Sequence, residues 1–154
     1  MEPAPSSPPQ AVPLDDLALE RQLCFALAVA NRSVLAVYKP LLTPMGLTHP
    51  QYLVMLALWE HAPLPAGRLA GLLQQEPATL TPLLRRLETA GLLTRSRRTD
   101  DERILEIDAT DAGRALRQRA REVPAEVARR LGVPRRELEA LHAALTRVNT
   151  AART

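Results

Sequence analysis

Residues Pro77-Ala78-Thr79-Leu80-Thr81-Pro82-Leu83-Leu84-Arg85-Arg86-Leu87-Glu88-Thr89-Ala90-Gly91 decide how the rest of the chain is read. Leu80, Leu83, Leu84 and Leu87 fall at i, i+3, i+4 and i+7, one apolar stripe of a 3.6-residue helix. Pro77 suits a first turn, where a missing N–H costs nothing, and Gly91 suits the left-handed position just past the end. The spacing therefore predicts a helix over about 77–90. Ala78, Thr81, Pro82, Arg85 and Thr89 point away from the stripe, with Arg86 on its flank. That face is small and polar early and basic late. The layout suits a helix that sets its N-terminal half in a DNA major groove and its arginines on flanking phosphates. Pro77, Ala78, Thr79, Thr81, Pro82, Arg85 and Arg86 are the candidate contacts on it.

Outward from this helix the pattern continues on both sides. Upstream, Pro65 to Leu73 reads as a short helix that buries Leu69, Leu72 and Leu73, weakened by Gly67 and Gly71 at about 1 kcal/mol each. Downstream, Leu92 to Arg98 and Arg103 to Asp108 alternate apolar and polar residues, the mark of two strands. Between them Thr99-Asp100-Asp101-Glu102 forms an acidic tip flanked by Arg95, Arg97, Arg98 and Arg103. One reading is a solvated hairpin stiffened by Asp–Arg pairs. The other is a wing that lays arginine into a minor groove. The two are compatible if Asp101 orients Arg103, and Arg95, Asp101 and Arg103 join the candidate contacts. Residues 48–110 thus read as a winged helix-turn-helix domain, with recognition helix about 77–90 and a two-stranded wing about 92–108.

The flanks are helical, so the fold class is mainly α. Thr48 to His61 opens with a capping box, Thr48 with Gln51, and a Leu47–Tyr52 staple. Trp59 near its end is expected in the core. Leu14 to about Leu42 has no glycine and a helical apolar pattern, closed by Pro40 and Pro44. It carries more apolar residues than one face needs, which burial against a second chain explains; residues 14–47 form an N-terminal dimerisation helix. Thr110 caps a helix from Asp111 to about Leu131, interrupted at Pro124. Arg135 to about Ala151 follows, with Leu138, Leu141, Leu145 and Val148 in a stripe, and residues 111–154 supply the C-terminal dimerisation helices. Residues 1–13 hold five of the 14 prolines and read as a disordered tail.

Composition sets the outer bounds. The 154 residues suffice for one domain or slightly more, with 46% apolar and only 3% aromatic content, a Leu/Ala/Val core. Net charge is +3, and of 20 basic residues only Lys39 is lysine. Arginine favours bidentate contacts to phosphate and guanine, which makes nucleic acid a natural partner. Cys24 is the only cysteine, so no disulfide forms within a chain. No signal peptide is evident, and the apolar run Leu53 to Trp59 is too short for a bilayer. A soluble, cytoplasmic protein with no membrane partner is expected. His49, His61 and His142 lack metal-ligand spacing, and Cys24 lacks a peroxiredoxin-type setting. No cofactor and no enzymatic activity are expected.

Three stretches together resemble one family. These are Thr48-His49-Pro50-Gln51-Tyr52-Leu53-Val54-Met55-Leu56 with Trp59-Glu60-His61, then Thr79 to Glu88, then Asp101-Glu102-Arg103. They resemble the MarR family of winged-helix regulators, and within it the OhrR type, repressors that sense organic hydroperoxide. Leu23-Cys24-Phe25 and Tyr38-Lys39-Pro40-Leu41-Leu42 extend the likeness, which covers about residues 17–120.

The resemblance implies a bacterial homodimer with interlocked terminal helices, associated with the nucleoid. It implies recognition helices about one DNA turn apart on a pseudo-palindromic double-stranded operator. It further implies that Cys24 is the redox sensor, oxidised to a sulfenic acid by organic hydroperoxide as inducer, with tyrosines bonded to the thiol. Tyr38 matches one such position. Cys24 and Tyr38 lie 14 residues apart in one helical stretch, about 21 Å along a helix axis. Tyr38 must therefore reach the partner chain's cysteine. Two positions depart from the type: Ala28 stands where tyrosine is common, and His49 stands where another tyrosine is common and can still donate to a thiolate. Glu76-Pro77-Ala78 replaces the usual Asp-Ser-Gly, which bears on operator sequence. A second implication stays open: a MarR-type regulator answering to a small aromatic or anionic ligand, with Cys24 in a packing role.

Overall fold

The computed structural model describes residues 17–154; the proline-rich segment expected to be disordered lies outside them. The described chain is helical apart from one small sheet. Its elements are α1 (Leu23–Leu42), α2 (His49–His61), β1 (Leu64–Pro65), α3 (Ala66–Leu73), α4 (Pro77–Thr89), β2 (Leu93–Arg97), β3 (Leu105–Ala109), α5 (Asp111–Ala120), α6 (Val123–Leu131) and α7 (Arg135–Ala151). Two compact units result, the first ending at Ser33 and the second running Val34–Thr154.

In the first unit a single 3-10 turn, Leu19–Arg21, precedes the start of α1. Among the described residues α1 begins at Leu23; the expected start at Leu14 lies outside them. Leu17, Leu19, Leu23, Phe25 and Val29 are all exposed, as is Cys24.

The stretch Leu23–Met45 is, by length and composition, long and apolar enough to cross a membrane. The run 53–59 alone does not reveal this stretch. Asn31, Arg32 and Ser33 sit near its middle, where an arginine in a bilayer costs about 3 kcal/mol. The composition suits a protein partner better than lipid.

In the second unit, α1 passes through Pro40 and stops at Leu42, the expected end, just before Pro44. The Thr43 hydroxyl donates to the Lys39 carbonyl at 2.8 Å, satisfying one carbonyl of the last turn. Thr48 then caps α2 as its sequence predicts. The Gln51 N–H reaches Thr48 Oγ1 at 3.4 Å, and the Thr48 N–H reaches Gln51 Oε1 at 3.0 Å. Val54, Met55 and Leu58 of α2 form the centre of the core with Leu64, Leu69, Leu87, Leu93 and Ile107. Trp59 is half-buried at the edge, its Nε1 donating to the Gly113 carbonyl at 2.9 Å.

The sheet has three antiparallel strands in the order β1-β3-β2, one more than the expected hairpin. Leu64 pairs with Ile107 and Pro65 with Glu106. Pro63 and Pro65 hid this strand, because two residues give no period. Helix α3 then starts at Ala66, and its buried residues are Leu69 and Ala70, while Leu72 is exposed. The turn between α3 and α4 places Gln74 at φ +54°, with the Gln75 N–H on the Ala70 carbonyl at 3.0 Å. This is the 6→1 bond of a Schellman stop, made without glycine.

Helix α4 ends in the same motif with the expected residue. Gly91 has φ +76°, its N–H meets the Glu88 carbonyl at 2.9 Å, and the Leu92 N–H meets the Leu87 carbonyl at 3.0 Å. Thr110 welds this turn to α5: its hydroxyl donates to the Gly91 carbonyl at 2.6 Å and accepts the Gly113 N–H at 3.1 Å. The interruption expected at Pro124 is there: the stretch to Leu131 is two helices, α5 and α6, with Pro124 in the first turn of the second. Helix α7 buries no residue; Leu141 and Val148 of its stripe are exposed. Ion pairs cover the arginine-rich region, including Arg114–Asp108, Arg129–Glu126 and Arg130–Glu126.

Candidate functional site

Helix α4 presents a sharp division. Leu80, Leu84 and Leu87 are buried, Leu83 is half-buried, and Pro77, Ala78, Thr79, Thr81, Pro82, Arg85 and Arg86 are all exposed. The face proposed from periodicity is thus open to a ligand as wide as a groove. The Thr81 hydroxyl donates to the Pro77 carbonyl at 3.0 Å. That leaves its oxygen turned to solvent as an acceptor, suited to an adenine or cytosine amino group. Arg85 and Arg86 have no ion pair among the described residues, so both guanidiniums are free for phosphate or guanine.

The wing arginines are each tied down. At the tip Arg103 donates from Nε and Nη2 to Asp101 at 3.0 and 3.1 Å, and its backbone N–H reaches the same carboxylate at 3.1 Å. Asp101 is held below the usual carboxylate range by these bonds to Arg103. Arg98 forms a second fork with Asp100 at 2.9 and 2.5 Å, and Arg97 reaches the Arg103 carbonyl at 3.3 Å. Arg95, named with the DNA-contacting set on its sequence position, engages Glu88 of α4 at 3.1 and 3.0 Å. Sequence reasoning missed Glu88 as its partner. The signal was available: Arg95 shares its strand face with buried Leu93, so alternation turns it inward.

A second cluster lies where α1 approaches α2. Tyr38 and His49 stand edge to face with centroids 4.9 Å apart, and Tyr52 lies 5.9 Å from Tyr38 and 6.2 Å from His49. Burial pushes the His49 imidazole below its ordinary value, and burial followed by the Tyr38 charge pushes the Tyr52 phenol up. Both rings are neutral donors near pH 7. The structure brings the two expected sensor partners together and adds Tyr52, which the sequence suggested only as a staple. Beside them Leu35, Lys39, Leu42, Leu47 and His49 line a cavity of about 250 Å³. Cys24 belongs to the first unit, exposed on α1 among apolar neighbours in sequence.

Comparison with known proteins agrees with this arrangement. A family model described as MarR family matches residues 47–105. The organic hydroperoxide resistance transcriptional regulator of Bacillus subtilis (strain 168) is 42% identical over 113 residues, 73% of this chain and 77% of that protein. Among solved structures, reduced AbfR bound to DNA gives a TM-score of 0.75 at 30% identity, covering 90% of this chain and 97% of that one. The transcriptional repressor CouR, bound to a 23-mer DNA duplex, gives 0.78 at 28% identity, covering 85% and 94%. These relatives are regulators, not enzymes. A mainly helical chain with an exposed polar-to-basic helix and a braced wing belongs to the MarR family of DNA-binding transcriptional regulators.

Proposed function

We propose that the protein is a homodimeric repressor, acting in the cytoplasm at the nucleoid, that leaves its operator when Cys24 is oxidised by an organic hydroperoxide. The observation that carries the reading is the only thiol of the chain, exposed on an apolar helix, in a protein 42% identical to an organic hydroperoxide resistance regulator. The Cys24 thiolate attacks one peroxide oxygen, the O–O bond breaks, and the alkoxide leaves and takes a proton to become an alcohol. Sulfur loses two electrons and becomes the sulfenic acid. Dimer formation would cover the exposed faces of α1 and α7 and set Cys24 against Tyr38 and His49 of the partner chain. Pro77, Ala78, Thr79, Thr81, Pro82, Arg85, Arg86 and Arg103 would then meet a pseudo-palindromic site, with Asp101 orienting Arg103.

Oxidation has to supply only about 2.7 kcal/mol of coupling for a 100-fold loss of DNA affinity. A polar sulfur group forced into an apolar helix contact is of that order. The test is DNA binding by reduced protein before and after one equivalent of organic hydroperoxide, beside Cys24→Ser. Release of wild type with retention of the variant is expected; retention of both overturns the reading.

The second reading rests on the cavity beside Lys39 and His49. Its apolar walls and single ammonium suit a small aromatic or anionic ligand, with Cys24 in a packing role. Under that reading a ligand releases DNA equally from wild type and Cys24→Ser.

A further inference from the structure

The basic residues of the wing form a graded series from tip to base. Arg103 at the tip leaves 90% of its side chain exposed. Arg95 at the base leaves 21%, and its partner Glu88 leaves 39%. The two guanidinium nitrogens of Arg95 lie parallel to the two carboxylate oxygens of Glu88, at 3.1 and 3.0 Å. That fork joins the last turn of α4 to the third residue of β2 across the Gly91 turn. Arg95 also lies opposite Ile107, a buried residue of the central strand. Together with Pro77, Leu80 and Leu84 it lines a small hollow under α4.

We infer that Arg95 is a positioning residue: paired with Glu88, it sets the angle between the recognition helix and the wing, and it makes no phosphate contact of its own. Arg95 is only 21% exposed and its fork is filled by Glu88, so it turns no open face to DNA, whereas Arg103, in a like fork with Asp101, stays 90% exposed at the tip. A two-point planar pair also resists rotation, which a lysine–carboxylate pair would not. The recognition helix enters the major groove and the wing reaches the minor groove, so a small error in their mutual angle misplaces one or the other. The backbone turn at Gly91 fixes the chain path, and the fork removes the remaining hinge freedom. This inference rests on DNA binding by the family and is independent of what releases the operator.

The test compares Arg95→Ala, Glu88→Ala and the exchanged pair Glu88→Arg with Arg95→Glu in the full-length dimer. Operator affinity is measured across a salt series. With Arg95 as positioning residue, both single variants weaken binding by about tenfold, as loss of two partly exposed ion pairs per dimer allows. The slope of log K against log salt stays at the wild-type value, because no phosphate contact is lost. The exchanged pair restores affinity to within about threefold. Nitroxide labels at Thr89 and Thr99 would show a broadened distance distribution in the single variants and a narrow one in the exchanged pair. A phosphate contact gives the reverse: Arg95→Ala shallows the slope by about 2 for the dimer, Glu88→Ala tightens binding, and the exchange fails. That pattern, or unchanged affinity in both single variants, overturns the inference.

Discussion

Asp101 holds Arg103 in a two-point fork, Nε on Oδ1 at 3.0 Å and Nη2 on Oδ2 at 3.1 Å, while the arginine side chain stays 90% exposed. The pair does not stabilise the fold, since an exposed ion pair is worth little. Its effect is to remove the rotamer freedom of a long side chain at the wing tip before DNA arrives. Truncation and charge removal should therefore differ. Arg103→Ala is expected to weaken binding to all sequences. For a dimer on about eight phosphates it should shallow the salt slope from about −7 to about −5. Asp101→Asn keeps the arginine's charge and loses its orientation, so affinity falls with the slope retained. Fluorescence anisotropy at four or five salt concentrations separates the two.

Gly113 stands in the first turn of α5, tightly under the β2 end. A Cβ there would collide with the Leu92 carbonyl oxygen and press on Met55 Cε at 3.2 Å. The Leu92 carbonyl already accepts the Thr110 N–H at 3.1 Å, and the Gly113 carbonyl holds Trp59, so neither backbone can yield freely. Gly113→Ala is expected to destabilise by about 1–3 kcal/mol, the usual result of overpacking. Thr110→Ala should cost about 1 kcal/mol through the lost N-cap. Urea melts of both, with unchanged m-values, would check this; a neutral Gly113→Ala would mean the junction is softer than it looks.

Most of the helical architecture was legible because leucine spacing and end signals agree locally. Thr48 with Gln51, Gly91 and Thr110 each did what their residue type and position imply. What stayed hidden depends on contacts distant in sequence. The two-residue strand Leu64–Pro65 exists only because Ile107 and Glu106 lie beside it. Arg95 looked like its neighbours in the basic wing, and only strand alternation and the placement of Glu88 distinguish it. Leu72 and Leu141 followed the apolar pattern and are exposed, since the period of an apolar face does not say whether the core covers it. In the aromatic cluster, Tyr38 and His49 were grouped by the resemblance to a family, while Tyr52 joins them through tertiary packing.

Glu126 accepts bonds from Arg129 at 2.9 and 2.5 Å and from Arg130 at 2.8 Å. The bonds to these two guanidiniums pull its carboxyl down to about 2 from an ordinary 4.5. The folded value lies below the unfolded one, so the contribution is complete above about pH 4.5 and lost as pH falls toward 2. Because the pairs are solvent-exposed and screened, thermal melting should drop only slightly across that window on their account, and Glu126→Gln should remove that part of the drop. Equal slopes in wild type and variant would mean the cluster does not survive in solution.

His49 gives the opposite kind of test, because its shift comes from burial and not from a charge. Desolvation lowers its folded value below the ordinary 6.5, so the fold binds a proton less readily than the unfolded chain. Its contribution is therefore present above pH 6.5 and lost as pH falls through the folded value. Carbon-bound ring protons of His49, assigned by comparison with His49→Gln, should titrate below 6.5, and the variant should lose part of the acid sensitivity of melting. The same shift constrains the proposed sensor. A neutral His49 orients a thiolate by donating one hydrogen bond; it supplies no positive charge near pH 7. Oxidation of Cys24 should then gain no acceleration from His49 as pH falls toward 6. A rate that climbs instead as pH falls toward 6 would require an imidazolium beside the sulfur and would refute the neutral assignment.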